Sequence, residues 1–562
     1  MVQHNKQITT DCWPEKAQYI VGEVVTLKMI RPIQIKTLPN ICLFRLADIF
    51  PAEPIWNQTS SQKDAEILTA SFSQLPAGYY GVEISWGDTI LSTAFDITKD
   101  RRQDVRYGFI SDFKQSDCGE EDILFANKLH LNAIQFYDWM YRHDNLVSKV
   151  ELYNDPMGRE TSLSTIRTKI LACKKYGIRP FAYGAIYAAT QELYNQHPEW
   201  ALYTIDGVPM KFADWLYFMN TSENCPWSNY IVEQYENSIS ELGFQGIHMD
   251  TYGFPKHVLD NNGSAVALEK TFPSLIERSA CAVKEIDCEA GVIFNAVNNW
   301  PIEEVAPTNQ DAVYIEVWPP HDTYFELYRL IREAKQIAQK PVVLAAYMKP
   351  FLGAETNESI TAAETSLLLT FAVINASGGR QLVFGENKGI LCDSYYANYA
   401  VIRDSFLSVV RNYCDFAVRY SPLLEYNSAV DISMTAANGI NEDILFHAKE
   451  DIRFSSNAQA DTVWTIIREY EERLVIHLIN LSGITQQWNE PKLQRPNSVQ
   501  DIEIKLLINH RFSNIYVASP DFQGGTAQIL EYRKETQNNG QYVFIKVPNL
   551  EIWDTVWIEL IQ

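Results

Sequence analysis

Two acidic residues stand at the ends of apolar runs. Asp250 closes GIHMD (246–250) and is followed by Thr251-Tyr252-Gly253, and Glu316 lies in AVYIEVW (312–318), just before Pro319-Pro320. A charge at the end of a buried run is costly unless it is paired or used. Two carboxylates facing one gap are what cleavage of a glycosidic bond requires, one as proton donor and the other as nucleophile or base. Position alone does not rank the candidates. Asp112, Asp138, Asp214 and Glu386 also follow apolar runs, and a strand-end acid can equally cap a loop or pair with arginine.

Aromatic residues gather near the same run ends: Tyr137, Trp139, Tyr141, Tyr183, Tyr187, Trp215, Tyr252, Trp300, Trp318 and Tyr347. Sugar rings present C–H faces that stack on aromatic planes, while their hydroxyls need Asp, Asn, His or Arg partners. The run QFYDWMYRHD (135–144) supplies both kinds of group. Core packing accounts for many single aromatics. Ten near one set of run ends point to a carbohydrate.

The elements that must position these residues follow from the periodicity. Eight short apolar runs alternate with helix-length amphipathic stretches: 105–111, 133–139, 179–187, 246–250, 291–297, 312–318, 341–348 and 381–386. Alternation of this kind predicts parallel strands wrapped by helices, and eight units fit one (β/α)₈ TIM barrel. Helices are expected over 120–130, 165–177 and 324–339. An open doubly wound sheet is the rival, although a GxGxxG phosphate loop is missing. In a barrel, catalytic groups sit at the carboxyl ends of the strands, where Asp250 and Glu316 fall.

On either side the pattern has period two. Residues 19–29, 41–46 and 75–97 read as short strands, the last as a hairpin about Gly87 and Asp88. They predict an immunoglobulin-like β-sandwich over 1–102. The barrel is expected over 103–420. Runs at 461–481, 501–508, 541–547 and 554–560 predict a C-terminal Greek-key β-sandwich over 421–562.

Composition narrows the function. With 562 residues, 46% hydrophobic and 21% charged, the chain is an ordinary globular one with several domains. A net charge of −23 argues against nucleic acid. No run of about 18 or more apolar residues occurs, which argues against a membrane span. The nine cysteines are scattered without a CxxC pair, and are expected to be buried thiols rather than zinc ligands or disulfides. The first residues lack the apolar stretch of a secretory leader. The location is extracellular if a leader was removed, and cytoplasmic otherwise.

With QFYDWMYRHD (135–144), GFQGIHMDTYG (243–253), FNAVNNWP (294–301) and AVYIEVWPP (312–320) in this order, the sequence resembles glycoside hydrolase family 66, the family of dextranases and cycloisomaltooligosaccharide glucanotransferases. The resemblance extends to the three-part layout and covers nearly the whole chain. It implies dextran or isomaltooligosaccharides as partner, retaining endo-hydrolysis of α-1,6-glucosidic linkages, and no cofactor or metal. It also implies Asp250 as nucleophile and Glu316 as general acid/base. Asp138, Trp139, Arg142 and His143 would line the subsite of the glucose to be cleaved, with Asn295 and Trp318 at its border. Tyr183, Tyr187, Trp215, Tyr252 and Tyr347 complete the expected substrate-binding set. A cyclising glucanotransferase is the first alternative, and a catalytically inactive glucan-binding protein the second. Cyclising members of the family carry an extra sugar-binding domain in the second half of the barrel. The segment 319–380 leaves no room for one, which favours the plain dextranase.

Overall fold

The computed structural model describes residues 10–561 apart from 33–36, 63–64, 427–428, 437–440, 450 and 493. Residues 1–9, on which the expectation about a secretory leader rests in part, lie outside the described residues.

The apolar runs form strands because they are buried on both faces, as parallel strands covered by helices must be. Parallel pairing joins Tyr107–Ile110 to Ala133–Phe136, and that strand to Arg179–Ala185. It continues through Gly246–Asp250, Gly291–Val297, Val313–Glu316, Val342–Ala345 and Arg380–Gln381. Two residues further on, Phe384–Gly385 pairs back to the first strand through Phe109 and Gly385. The pairings therefore return to their start in one large curled sheet, extended by the antiparallel strands Gly389–Leu391 and Tyr399–Val401. The eighth run is thus split into two short pieces, each serving one neighbour.

Tyr107, Phe181, Ile293, Tyr314, Val343 and Leu382, from six of these runs, share one buried cluster. The opposite faces pack against helices Glu121–Lys128, Leu163–Lys175, Pro226–Asn237, Leu268–Ile286, Tyr324–Ile337 and Asn357–Ala376. By length and composition Asn357–Ala376 is apolar enough to cross a membrane. Its residues from Ala363 to Ala376 are all buried within the fold.

Before the curled sheet, a four-stranded and a five-stranded sheet share one core that includes Leu27, Met29, Tyr80 and Val82. Strands Gly78–Trp86 and Thr89–Thr98 pair antiparallel around Gly87, whose φ of 54° favours glycine. After the curled sheet, a seven-stranded and a four-stranded sheet enclose Ile476, Leu478, Ile504, Val543 and Val556. The run 461–481 is two strands, Val463–Glu469 and Arg473–Asn480, because the polar segment between them turns.

The first sheets are tied to the rest by buried polar contacts. Asp415 lies 2.6 Å from His130 Nε2 and accepts the Thr93 hydroxyl at 3.0 Å. Arg106 joins Asp96 at 2.7 Å and Asp104 at 2.6 Å.

All nine cysteines are free thiols. Cys12, Cys173, Cys225, Cys392 and Cys414 are buried and Cys42 is half-buried, whereas Cys118, Cys281 and Cys288 are exposed, against the expectation of burial. Cys281 lies on the solvent side of Leu268–Ile286, between the buried Ala280 and Val283.

Candidate active site

Parallel strands in one sheet end on one rim, and five successive strands bring five side chains together there. Asp250 is the last residue of the fourth strand and Glu316 the last of the sixth. Asn295 lies between them on the fifth. Its Nδ2 donates to Asp250 Oδ1 at 2.8 Å and to Glu316 Oε2 at 3.1 Å. One nitrogen touching both places those two oxygens no more than about 6 Å apart. The outer oxygens are held as well. From the third strand the Tyr183 hydroxyl donates to Asp250 Oδ2 at 2.7 Å. Beyond the seventh the Tyr347 hydroxyl donates to Glu316 Oε1 at 2.6 Å. The result is one hydrogen-bonded chain, Tyr183–Asp250–Asn295–Glu316–Tyr347, in the order of the strands.

Burial, and then the charge of Glu316, push the Asp250 carboxyl up to about 6, against the opposing pull of Tyr183 and Asn295. The remaining polar groups around it are unspent. Among the described residues, Asn295 Oδ1, Thr251 Oγ1, the Tyr252 hydroxyl and His143 Nδ1 are buried without a hydrogen-bond partner. Buried polar atoms of this kind are normally satisfied, so this group is suited to receive sugar hydroxyls. Burial drives His143 down to about 4, leaving its ring neutral. Asp138 sits just past the second strand with a left-handed φ of 51°, which ends the extended backbone there. Burial raises its carboxyl to about 7, offset by Arg159 at 3.9 Å.

The other expected residues divide. Tyr187 packs edge-on to Tyr252, with ring centroids 4.7 Å apart, and both lean on Phe218. The Asp250 charge raises the Tyr187 hydroxyl after burial has done so. Trp215 is 39% exposed and lies over His143 with centroids 5.9 Å apart. Trp318 meets Tyr347 at 5.9 Å. Trp139 is different. It is fully buried against Phe244, and its indole N–H bonds the Tyr183 carbonyl at 3.1 Å. It braces Tyr183 from behind rather than lining the cleft. Arg142 stacks on Tyr141 and donates to the Asn154 carbonyl at 3.2 Å.

The competing acids are engaged elsewhere. Glu386 accepts from the backbone of Ser111 and Asp112 and from the Ser111 hydroxyl, tying the eighth strand to the end of the first. Asp112 pairs with Lys114, and Asp214 is exposed on a turn with φ 62°.

Several neighbours were not anticipated. Arg159, clamped by Asp155 at 2.7 Å, supplies the cation facing Asp138. Tyr396 stacks on Tyr137 with centroids 4.4 Å apart, and its hydroxyl meets that of Tyr314 at 2.9 Å. Both arrive on loops far along the chain, with no local periodicity to signal them. Among the described residues, no three His, Cys, Asp or Glu side chains gather as metal ligands.

The family model of glycosyl hydrolase family 66 matches residues 14–557. A cycloisomaltooligosaccharide glucanotransferase of Niallia circulans is 24% identical over 83% of this chain and 62% of its own length. A dextranase of Streptococcus salivarius is 23% identical over 60% of this chain and 46% of its own. The chain therefore spans less than two thirds of the length of these curated relatives. Among solved structures, a cycloisomaltooligosaccharide glucanotransferase of Paenibacillus sp. complexed with cycloisomaltoheptaose superposes with a TM-score of 0.85 at 21% identity. The superposition covers 97% of this chain and 99% of that one, and establishes the shared fold. With its family match running almost from end to end, this chain belongs to glycosyl hydrolase family 66.

Proposed function

We propose that the protein is a retaining endo-hydrolase of the α-1,6-glucosidic linkages of dextran, with Asp250 as nucleophile and Glu316 as general acid/base. In this reading the curled sheet is a (β/α)₈ barrel over 103–420. An immunoglobulin-like sandwich over 1–102 and a Greek-key sandwich over 421–562 flank it. The carrying observation is the single Asn295 amide nitrogen that reaches both carboxylates. It favours a separation suited to direct attack on the anomeric carbon rather than one that admits a water between carboxylate and sugar.

Two like charges this close favour a pair carrying one proton, which is the state the first step needs. Glu316 in its acid form gives its proton to the glycosidic oxygen as the bond to the anomeric carbon breaks. Asp250, ionised, attacks that carbon from the opposite face and forms a β-glucosyl ester. The leaving chain departs with its new hydroxyl. Glu316, now ionised, takes a proton from water, whose oxygen displaces Asp250 and restores the α-configuration. Tyr183 and Asn295 hold Asp250 in place, and Tyr347 and Asn295 hold Glu316, so little reorganisation accompanies the charge movement.

A second reading, cycloisomaltooligosaccharide glucanotransfer, draws on the activity of the Niallia circulans relative and of the superposed structure. An incoming sugar hydroxyl would then replace water in the second step. Against it stands the alignment with the Niallia circulans enzyme, which runs to 618 residues although this chain has 562. That relative carries segments absent here, in keeping with the short path between the sixth and eighth strands. A catalytically inactive binder is the third reading, and the intact carboxylate pair counts against it.

Chain-length analysis of products from dextran tests all three. Linear oligosaccharides of α-configuration are expected. Cyclic products would replace the first reading with the second, and intact dextran would leave the binder. Initial products of β-configuration would overturn the double displacement.

A further inference from the structure

A second cleft, of about 120 Å³, opens at the edge of the C-terminal sheets, between Ser519–Gln528 and the ends of two strands. Asp554 lines it, 1% exposed, and its Oδ1 has no hydrogen-bond partner among the described residues. Phe522, 44% exposed, forms part of the wall. Gln528 adds an amide group, and Asn549 the second hydrogen of an amide nitrogen that already donates to Glu551 at 3.1 Å, while the Ser519 hydroxyl is committed to the Trp553 carbonyl at 2.7 Å.

Ser519 serves this carboxyl group, but the buried oxygen left without a partner calls for one that hydrogen-bonds to it. Burial holds Asp554 well above the ordinary carboxylate range, which favours the protonated form, able to donate as well as accept. Asp521 and Glu551 act on it as like charges, so an anion is disfavoured. Only one carboxylate lines the cleft, too few to bind a metal ion firmly. A neutral polyol with an apolar face satisfies every side. Its C–H face would lie on Phe522 and its hydroxyls on Asp554, Asn549 and Gln528.

We infer that this cleft is a secondary binding site for one glucosyl unit of an α-glucan, remote from the Asp250–Glu316 pair. The choice of glucose rests on the proposed function; the polyol chemistry does not. Held at a second point, a polymer would dissociate more slowly, while a short oligosaccharide unable to span both places would gain nothing.

The test uses the full chain carrying Glu316→Gln, so that dextran is bound without being consumed. Its migration is measured in native gels containing dextran, with and without Phe522→Ala or Asn549→Ala. Each substitution is expected to weaken retardation about threefold or more. In the otherwise unchanged enzyme, Phe522→Ala should lower kcat/KM for polymeric dextran by a similar factor and leave that for isomaltotriose unaltered. Circular dichroism confirms that both variants fold, and Phe522, being at the surface, is the safer of the two. Retardation and dextran kinetics that ignore both substitutions overturn the inference while leaving the proposed function intact. Retardation that depends on Phe522 in a protein whose parent fails to cleave dextran supports the cleft and overturns the proposed function instead.

Discussion

Tyr347, two residues past the end of the seventh parallel strand, donates its hydroxyl to Glu316 Oε1 at 2.6 Å. The ring is held in turn by Trp318 and by Tyr396, with centroids 5.9 and 6.3 Å away. In the proposed mechanism Glu316 becomes a carboxylate, an acceptor for this hydroxyl, once it has given up its proton.

Tyr347→Phe should therefore act mainly on the first half of the reaction, in which that charge appears. A hydrogen bond to a charged group contributes about 1.5–3 kcal/mol, so kcat should fall roughly 10- to 100-fold. Because formation of the glucosyl-enzyme would then be the slow step, the intermediate should not accumulate, KM should change little, and rapid quenching should show no burst of the first product. A rise in KM at unchanged kcat would mean that Tyr347 only binds substrate.

Under the proposed mechanism, the acid side of the pH profile belongs to Asp250. Its carboxyl is raised to about 6, so the nucleophile becomes protonated and inactive as the pH falls through that value. The profile of kcat/KM should drop on the acid side near pH 6. Asn295 and Tyr183 both pull this value down by stabilising the anion. Asn295→Ala removes one of these donors, so the acid limb should move to higher pH. Tyr183→Phe should move it the same way. A limb that stays in place in both variants would show that another group controls it.

The same shift has a consequence for stability. The folded value of Asp250, about 6, lies above the ordinary 3.8. The stability associated with its protonated form is complete below the unfolded value and is lost as the pH rises through about 6. Asp250→Asn cannot ionise, so it should melt higher than the parent at pH 8. A shift of this size corresponds to on the order of 2–3 kcal/mol. Near pH 4 the two proteins should melt together. Equal melting temperatures at both pH values would show that burial of this charge costs nothing.

Trp215 and His143 test the outer wall of the cleft. Trp215 is exposed and covers a neutral imidazole whose Nδ1 has no hydrogen-bond partner among the described residues. Trp215→Ala should raise KM for isomaltooligosaccharides severalfold with a smaller effect on kcat, as loss of a stacking surface would. A selective loss of kcat would place the residue nearer the bond that breaks.

What the sequence showed of all this follows from how locally each feature is encoded. The eight apolar runs stand out because both faces of each strand are covered, so hydrophobic residues follow one another without gaps. Their ends are blurred where backbone geometry intervenes. The run 133–139 predicts one strand, yet the strand stops at Phe136, two residues before Asp138 turns left-handed. Asp250, Asn295 and Glu316 were visible as polar residues within apolar strands, and Tyr183 and Tyr347 as aromatics at strand ends. Trp139 has the same signature and faces the other way, which composition does not register. Arg159 and Tyr396 come from loops, whose course depends on tertiary packing that no local pattern records.

The sharpest test separates the two carboxylates by role. Replacing Asp250 with Ala removes the nucleophile, so no covalent intermediate forms whatever the leaving group. Replacing Glu316 with Gln removes proton donation, a loss of about 10²–10⁴ in rate on dextran. A nitrophenyl glycoside with an α-1,6-linked glucan chain leaves without a proton, so cleavage of its bond should recover in the Glu316 variant. Return of the β-glucosyl ester to product then lacks a base and becomes slow, and mass spectrometry should find the ester on Asp250. Added azide needs no base and should release it by a second inversion, giving the α-glucosyl azide. In the Asp250 variant azide can enter only the space the carboxylate left and attack the substrate directly, giving the β-glucosyl azide by a single inversion. The configuration of the azide product thus reports which carboxylate was removed. If the Glu316 variant gives the β-product and the Asp250 variant the α-product, the two roles must be exchanged. If both variants keep most of the parent activity on dextran, neither residue is catalytic and Asp138 becomes the next acid to replace.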